Sequence, residues 1–206
     1  MPDIFKYKVP AIFQIAGTFG IKTPGPNVYL SFDDGPSPEV TPFVLKTLDQ
    51  ANAQATFFCS GKQADQYPEL FSEIKNQNHQ IGNHGYNHLN GLKTNTKTYL
   101  SDIAKGNKII QSPLFRPPYG KMKPIQFFKL KKQFRIIFWT LMTRDFDSKT
   151  TWQKDFEKIK PKIKKGNIIL LHDTPKAKQK LVNLLPAILE YGNEKGLKFV
   201  KIAQLR

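Results

Sequence analysis

Short apolar runs alternate along the chain with longer stretches in which apolar positions recur every three or four residues, the first a strand signature and the second a helical one. The first run, Val28-Tyr29-Leu30-Ser31-Phe32, leads through Asp33-Asp34 into the turn-forming pair Gly35-Pro36. A helix is predicted over 38–52, with Ser37 as its cap and Pro38 in its first turn, and a strand over Ala55–Cys59. A second helix is predicted over 64–77. Further strands are expected at 80–83, 114–117, 135–141, 167–172 and 198–202, separated by helix-like segments, which makes about seven β/α units.

Repeated strand-then-helix order argues for parallel strands joined by right-handed crossovers, in either an open doubly wound sheet or a closed barrel. No glycine-rich dinucleotide loop follows the first strand. The barrel is favoured because Asp33, Asp34, His84, Arg116, Asp145 and His172 all fall at or just after the C-terminal end of a predicted strand, where a barrel gathers its chemistry. The expected fold is therefore α/β, a distorted (β/α) barrel of about seven parallel strands.

At 206 residues and 39% hydrophobic content the chain supports one core. Residues 1–26, ending at Pro24-Gly25-Pro26, read as a peripheral arm, and 27–206 as the one domain. The mixed stretch 9–21 contains Pro10, Gln14 and Gly17, so neither a signal peptide nor a transmembrane segment is expected, and the compartment stays open between cytoplasm and envelope. Cys59 is the only cysteine; it excludes an intrachain disulfide and, lying in an apolar run, reads as a buried thiol. A net charge of +16 favours anionic surfaces such as acidic polysaccharide, peptidoglycan, phospholipid or nucleic acid. The lysine groups at 129–132 and 158–165 are not interleaved with aromatics as a stacking platform requires, so nucleic-acid binding is not expected.

The polar residues carry the chemistry. Adjacent carboxylates at a strand end project to opposite faces, so of Asp33 and Asp34 one is free to bind a metal while its neighbour meets an attacking water. His84 and His88, four residues apart, bring two imidazoles to one side of a turn-like backbone. Two imidazoles and one carboxylate leave coordination positions open, as a catalytic ion needs; zinc suits the set best, with cobalt, nickel or manganese as alternatives. In Arg116-Pro117-Pro118-Tyr119-Gly120 a fixed cation, placed to hold Asp33 ionised, precedes a proline-stiffened loop whose Tyr119 amide is placed to serve an oxyanion. His172, ending the run Ile168-Ile169-Leu170-Leu171, is suited to protonate a leaving group. His79 precedes a strand and reads as structural.

Taken in order, these segments resemble the polysaccharide deacetylase family, the NodB-homology domains of carbohydrate esterase family 4, from about residue 28 to 202. Ser31-Phe32-Asp33-Asp34-Gly35-Pro36 resembles the family's first motif, which implies Asp33 as base and Asp34 as metal ligand. His84-Gly85-Tyr86-Asn87-His88 resembles the second, with Gly85 where a loop-steadying Ser or Thr is usual. Arg116-Pro117-Pro118-Tyr119 resembles the third, and Leu170-Leu171-His172 the fifth, implying an acetyl-pocket leucine at Leu170, substrate contacts at Pro118 and Tyr119, and a catalytic histidine at His172. The fourth departs: where Asp-x-x-Asp-Trp is common this chain has Met142, Asp145 and Phe146. Asp145 is then expected to supply the missing acidic contact to Arg116 or His172, with Asp147 and Asp173 behind it. The resemblance implies a metal-dependent hydrolase that removes N-acetyl groups from a peptidoglycan- or chitin-like glycan. Alternatives on the same fold are a sugar de-O-acetylase or deformylase, and a carbohydrate-binding homologue without turnover.

Overall fold

A computed structural model describes residues 17–203. Its parallel strands β1 (Asn27–Asp33), β2 (Ala55–Cys59), β3 (Gln80–Asn83), β4 (Leu114–Phe115), β5 (Arg135–Ile136), β6 (Leu141–Met142) and β7 (Ile168–His172) run in the spatial order β5-β4-β3-β2-β1-β7-β6, and β8 (Lys198–Phe199) pairs with the start of β1. Helices α1 (Thr41–Gln50), α2 (Gly61–Gln66), α3 (Pro68–Asn76), α4 (Thr96–Ile110), α5 (Pro124–Leu130), α6 (Trp152–Ile159) and α7 (Pro175–Glu194) occupy the connections. The architecture is the expected distorted barrel.

Several predicted boundaries shift for local reasons. The helix expected over 64–77 is two helices, because Pro68 forbids helical backbone at Tyr67, which sits at φ −128° and ψ 63°. The helix expected from residue 38 begins at Thr41 with Pro42 in its first turn, and the Ser37 side chain does not cap it.

The strand expected over 135–141 is also two strands, and the break closes the barrel. β5 pairs with β4 while β6 pairs with β7, so a single segment belongs to both edges of the sheet. Between them the Ile137 amide still donates to Phe115 O (2.9 Å) and the Thr140 amide to Ile168 O (2.9 Å). Residues 18 and 19 line the same seam: the Thr18 amide donates to Ile136 O, and the Phe19 ring stacks 4.6 Å from Phe138.

Strand alternation sorts the side chains into two compartments. Leu30, Phe32, Phe57, Ile81, Ile169 and Leu171 face outward into the large core shared with α1 and α7. Tyr29, Phe58, Leu114, Ile137, Ile168 and Ile202 fill the inside at the N-terminal end of the barrel. The same inward parity continues to Ser31 and Asp33 on β1 and to Leu170 and His172 on β7, so polar groups crown an apolar plug.

Candidate active site

β1 and β7 pair in register with Asp33 opposite His172, which sets two titratable groups side by side at the mouth. Asp34 follows in left-handed backbone at φ 79°, a conformation Asp tolerates better than most residues, and this turns its carboxylate away from that of Asp33. The turn is held from behind by Asp173, which accepts from the Gly35 amide (3.1 Å) and the Thr41 hydroxyl (2.6 Å). A Cβ on Gly35 would lie 2.1 Å from Asp173 Oδ2, so only glycine fits. Burial raises the Asp173 carboxyl to about 7 against its hydrogen bonds.

Asp34, His84 and His88 each offer a ligand atom within 4.8 Å of the others. His84 Nδ1 lies 2.8 Å from Arg116 O, which can only accept; Nδ1 therefore carries the proton and Nε2 presents its lone pair. His88 Nε2 lies 3.0 Å and His84 Nε2 3.4 Å from Asp34 Oδ1. That oxygen is buried and satisfied by no hydrogen bond, a situation a bound cation would resolve. Burial pushes the Asp34 carboxyl up, but the two imidazoles and His172 outweigh it and hold it well below the usual range. The donor set fits a divalent ion.

Arg116 is fully buried. Nη1 donates to Asp33 Oδ1 (2.7 Å) and to Ser31 Oγ (2.9 Å), Nη2 to Phe138 O (2.9 Å) and Nε to Ile137 O (3.3 Å). One guanidinium thus orients Asp33 and satisfies two carbonyls of the seam. It also lies over the Phe58 ring at 4.0 Å.

His172 Nδ1 sits 2.8 Å from Asp145 Oδ1, and its amide donates to Asp145 Oδ2 at 2.6 Å. Phe146 packs edge-on against the imidazole at 5.0 Å. Burial disfavours the imidazolium, yet Asp145 first and then Asp34 and Asp33 outweigh that and raise it to about 9. Tyr119 adopts φ 60°, its ring is exposed, and its centroid lies 4.5 Å from that of His88. No hydrogen bond among the described residues uses the Tyr119 N–H. Pro118 is buried next to it, and Leu170 is buried on the inward face of β7.

The structure thus gathers Asp33, Asp34, His84, His88, Arg116, Tyr119, Asp145, Leu170 and His172 at one end of the barrel. Of the three acids weighed for the fourth motif, Asp145 reaches His172, Asp147 pairs with Arg144, and Asp173 braces the Asp33-Asp34 turn. Arg116 meets Asp33. His79 is buried, accepts from the Ala55 amide at 3.3 Å and is lowered to about 4 by burial, so it is a neutral structural residue. Cys59 is buried, and burial drives its thiol well above the ordinary value.

Two residues at the site carried no motif. Asp102 on α4, nearly buried, accepts from the Tyr86 amide (2.9 Å), the Asn87 amide (3.1 Å) and Asn87 Nδ2 (2.7 Å), and Asn83 Oδ1 accepts from the Gly85 amide (2.8 Å). Together they hold the loop between the two histidines, the part that the sequence resemblance would assign to a hydroxyl at position 85. Gly85 has φ 77°, which suits glycine. An acid on the buried face of a helix has no short-range signature, so sequence reading passes over it.

Comparison with known proteins identifies the family. The family model described as polysaccharide deacetylase matches residues 20–133. A peptidoglycan-N-acetylglucosamine deacetylase of Bacillus cereus is 34% identical over 186 residues, 86% of this chain and 67% of that protein. A chitooligosaccharide deacetylase of Azorhizobium caulinodans is 31% identical, covering 71% of this chain and 73% of its own. Among solved structures, a peptidoglycan N-acetylglucosamine deacetylase in complex with 4-naphthalen-1-yl-N-oxidanyl-benzamide superposes with a TM-score of 0.88 at 31% identity over 95% of both chains. The chain belongs to the polysaccharide deacetylase family, the NodB-homology hydrolases of carbohydrate esterase family 4.

Proposed function

We propose that the protein hydrolyses N-acetyl groups from a peptidoglycan- or chitin-like sugar polymer or oligosaccharide, with a divalent ion held by Asp34, His84 and His88. The carrying observation is the meeting of three ligand atoms within 4.8 Å beside two further titratable groups, Asp33 and His172, on adjacent strand ends. The peptidoglycan-N-acetylglucosamine and chitooligosaccharide deacetylases that the chain resembles motivate the substrate class.

An ion there, zinc by preference of the ligand set and cobalt, nickel or manganese otherwise, would supply Lewis-acid polarisation of the acyl carbonyl and of water. Asp33 is the base: Arg116 fixes Oδ1, and the carboxylate takes the proton of the attacking water. As the carbonyl becomes a tetrahedral oxyanion, the Tyr119 N–H donates to it. The C–N bond then breaks as the imidazolium of His172, its Nδ1 occupied by Asp145, gives the Nε2 proton to the departing sugar nitrogen. Acetate and a free amine result. Leu170 supplies an apolar wall for the acetyl methyl group.

The test is metal analysis of purified protein combined with acetate release from peptidoglycan fragments, chitooligosaccharides and acetylated xylan fragments. Metal-dependent acetate and amine from the first two are expected. Acetate from xylan alone would reassign the protein as an O-deacetylase, and glycan binding without acetate at any metal supply would make it non-catalytic.

A further inference from the structure

The chain's charge is segregated. Residues 74–144 contain thirteen Lys and Arg against one acid, Asp102, a net +12 of the chain's +16. Asp102 is turned inward onto the 86–87 amides, so this stretch of the chain exposes no carboxylate of its own, and Asp65, from outside it, is engaged by the Tyr86 hydroxyl (3.0 Å). Four of the five exposed large hydrophobics among the described residues, Leu92, Tyr119, Ile125 and Phe128, fall in the same stretch.

Two of them lie on α5 itself. Ile125, 53% exposed, and Phe128, 40% exposed, are three residues apart and share one helical face. The remaining exposed positions of 124–133 are Pro124, Lys129, Lys131, Lys132 and Gln133, and the Lys131 ammonium lies 4.9 Å above the Phe128 ring. The loop bearing Leu92 docks on the same element, with Gln126 Nε2 donating to Gly91 O (3.0 Å) and Lys123 Nζ to Thr94 O (2.9 Å). An exposed apolar pair flanked by lysines, with no acid among the exposed positions of 124–133, is the pattern of a surface that enters a bilayer interface while its ammonium groups reach the phosphates.

We propose that the solvent face of α5, with Ile125 and Phe128 inserted and Lys129, Lys131 and Lys132 on the headgroups, docks the protein on an anionic phospholipid bilayer. Charge complementarity selects an anionic partner, and the apolar side chains of Ile125 and Phe128 select lipid over a water-borne polyanion. A polyphosphate chain gains nothing from Ile125, and a nucleic acid needs successive stacking faces where Phe127 is buried and Phe128 stands alone. No described helix is long and apolar enough to cross a membrane, so the contact is interfacial. If the glycan reading above holds, docking keeps the enzyme beside envelope substrate, but the docking itself does not depend on that reading.

Sedimentation with extruded vesicles at physiological ionic strength tests this. The full chain is expected to bind phosphatidylglycerol-containing vesicles and to ignore pure phosphatidylcholine. Ile125→Ser with Phe128→Ser should lower the partition coefficient about tenfold or more. Lys129→Glu, Lys131→Glu and Lys132→Glu together should lower it about a hundredfold, since each basic residue near an anionic bilayer is worth roughly a factor of five. Val182→Ser, at the exposed apolar position on α7, should change nothing. Because Cys59 is buried, Phe128→Cys accepts an environment-sensitive dye selectively, and its emission should shift blue only with anionic vesicles. Unchanged thermal midpoints verify folding of each variant. Wild-type vesicle binding by the double serine variant, or no dye shift, overturns the proposal. Binding to polyphosphate or single-stranded DNA with no binding to vesicles assigns the face to a polyanion instead.

Discussion

Arg116→Met tests the claim that one guanidinium joins the barrel seam to the Asp33 carboxylate. The side chain is fully buried, and methionine retains much of its apolar volume while removing the charge and every donor. Asp33, 4% exposed, then loses its 2.7 Å partner; breaking a buried ion pair from one side costs about 3–5 kcal/mol. The Phe138 and Ile137 carbonyls also lose their side-chain donors, at about 1 kcal/mol or more each. A loss of about 5 kcal/mol or more is a large part of the roughly 5–15 kcal/mol that holds a domain together. In urea, a change of 5 kcal/mol moves the unfolding midpoint by about 2 M at a slope of roughly 2–3 kcal/mol/M. Adding Asp33→Asn removes the stranded charge, so the double variant should recover at least about 2 kcal/mol of that loss, a coupling read from a double-mutant cycle. A single-variant loss under about 1 kcal/mol, or a coupling near zero, would refute the role assigned to the pair.

His172 is raised to about 9, so the proton that the proposed mechanism draws from it is present below that pH and lost above it. Activity should fall on a basic limb near that value, and Asp145→Asn, which removes the largest raising influence, should move the limb down by about one pH unit or more; an unmoved limb in a kcat/KM profile would sink the assignment. His88→Ala removes one of the three proposed ligands and should abolish both metal retention, measured by elemental analysis, and acetate release; retention of one equivalent of metal contradicts the ligand set. Asp102→Ala strips the loop between the histidines of three hydrogen bonds and should weaken zinc binding about 10- to 100-fold by competition with a chelating dye, with little loss if the loop holds itself. Gly85→Ser restores the residue type usual in the family, but at φ 77° and with its Cβ 3.0 Å from Asp102 Oδ2 it should destabilise by about 1–2 kcal/mol in thermal unfolding; a stabilised variant would overturn this account of position 85.

The boundary between what was legible in the residues and what was not follows the range of the interaction concerned. Strands β1, β2, β3 and β7 and the carboxylate and imidazole motifs follow from apolar runs, turn residues and spacing, all governed by neighbours within a few positions. The break at Tyr67 was equally local, written in Pro68. The splitting of 135–142 had no such signal, because an uninterrupted β-prone run divides only when its two ends find different partners, β4 and β7. Likewise no local pattern sets Asp33 opposite His172 or carries Asp102 under the histidine loop. Those placements arise when strands 139 residues apart pair in register and a helix packs beneath a turn. Sequence alone determined which groups this protein can offer to an ion or to proton transfer. Tertiary structure decided which of them touch, because contact between distant segments is chosen by sheet closure and core packing, which act on the folded chain as a whole.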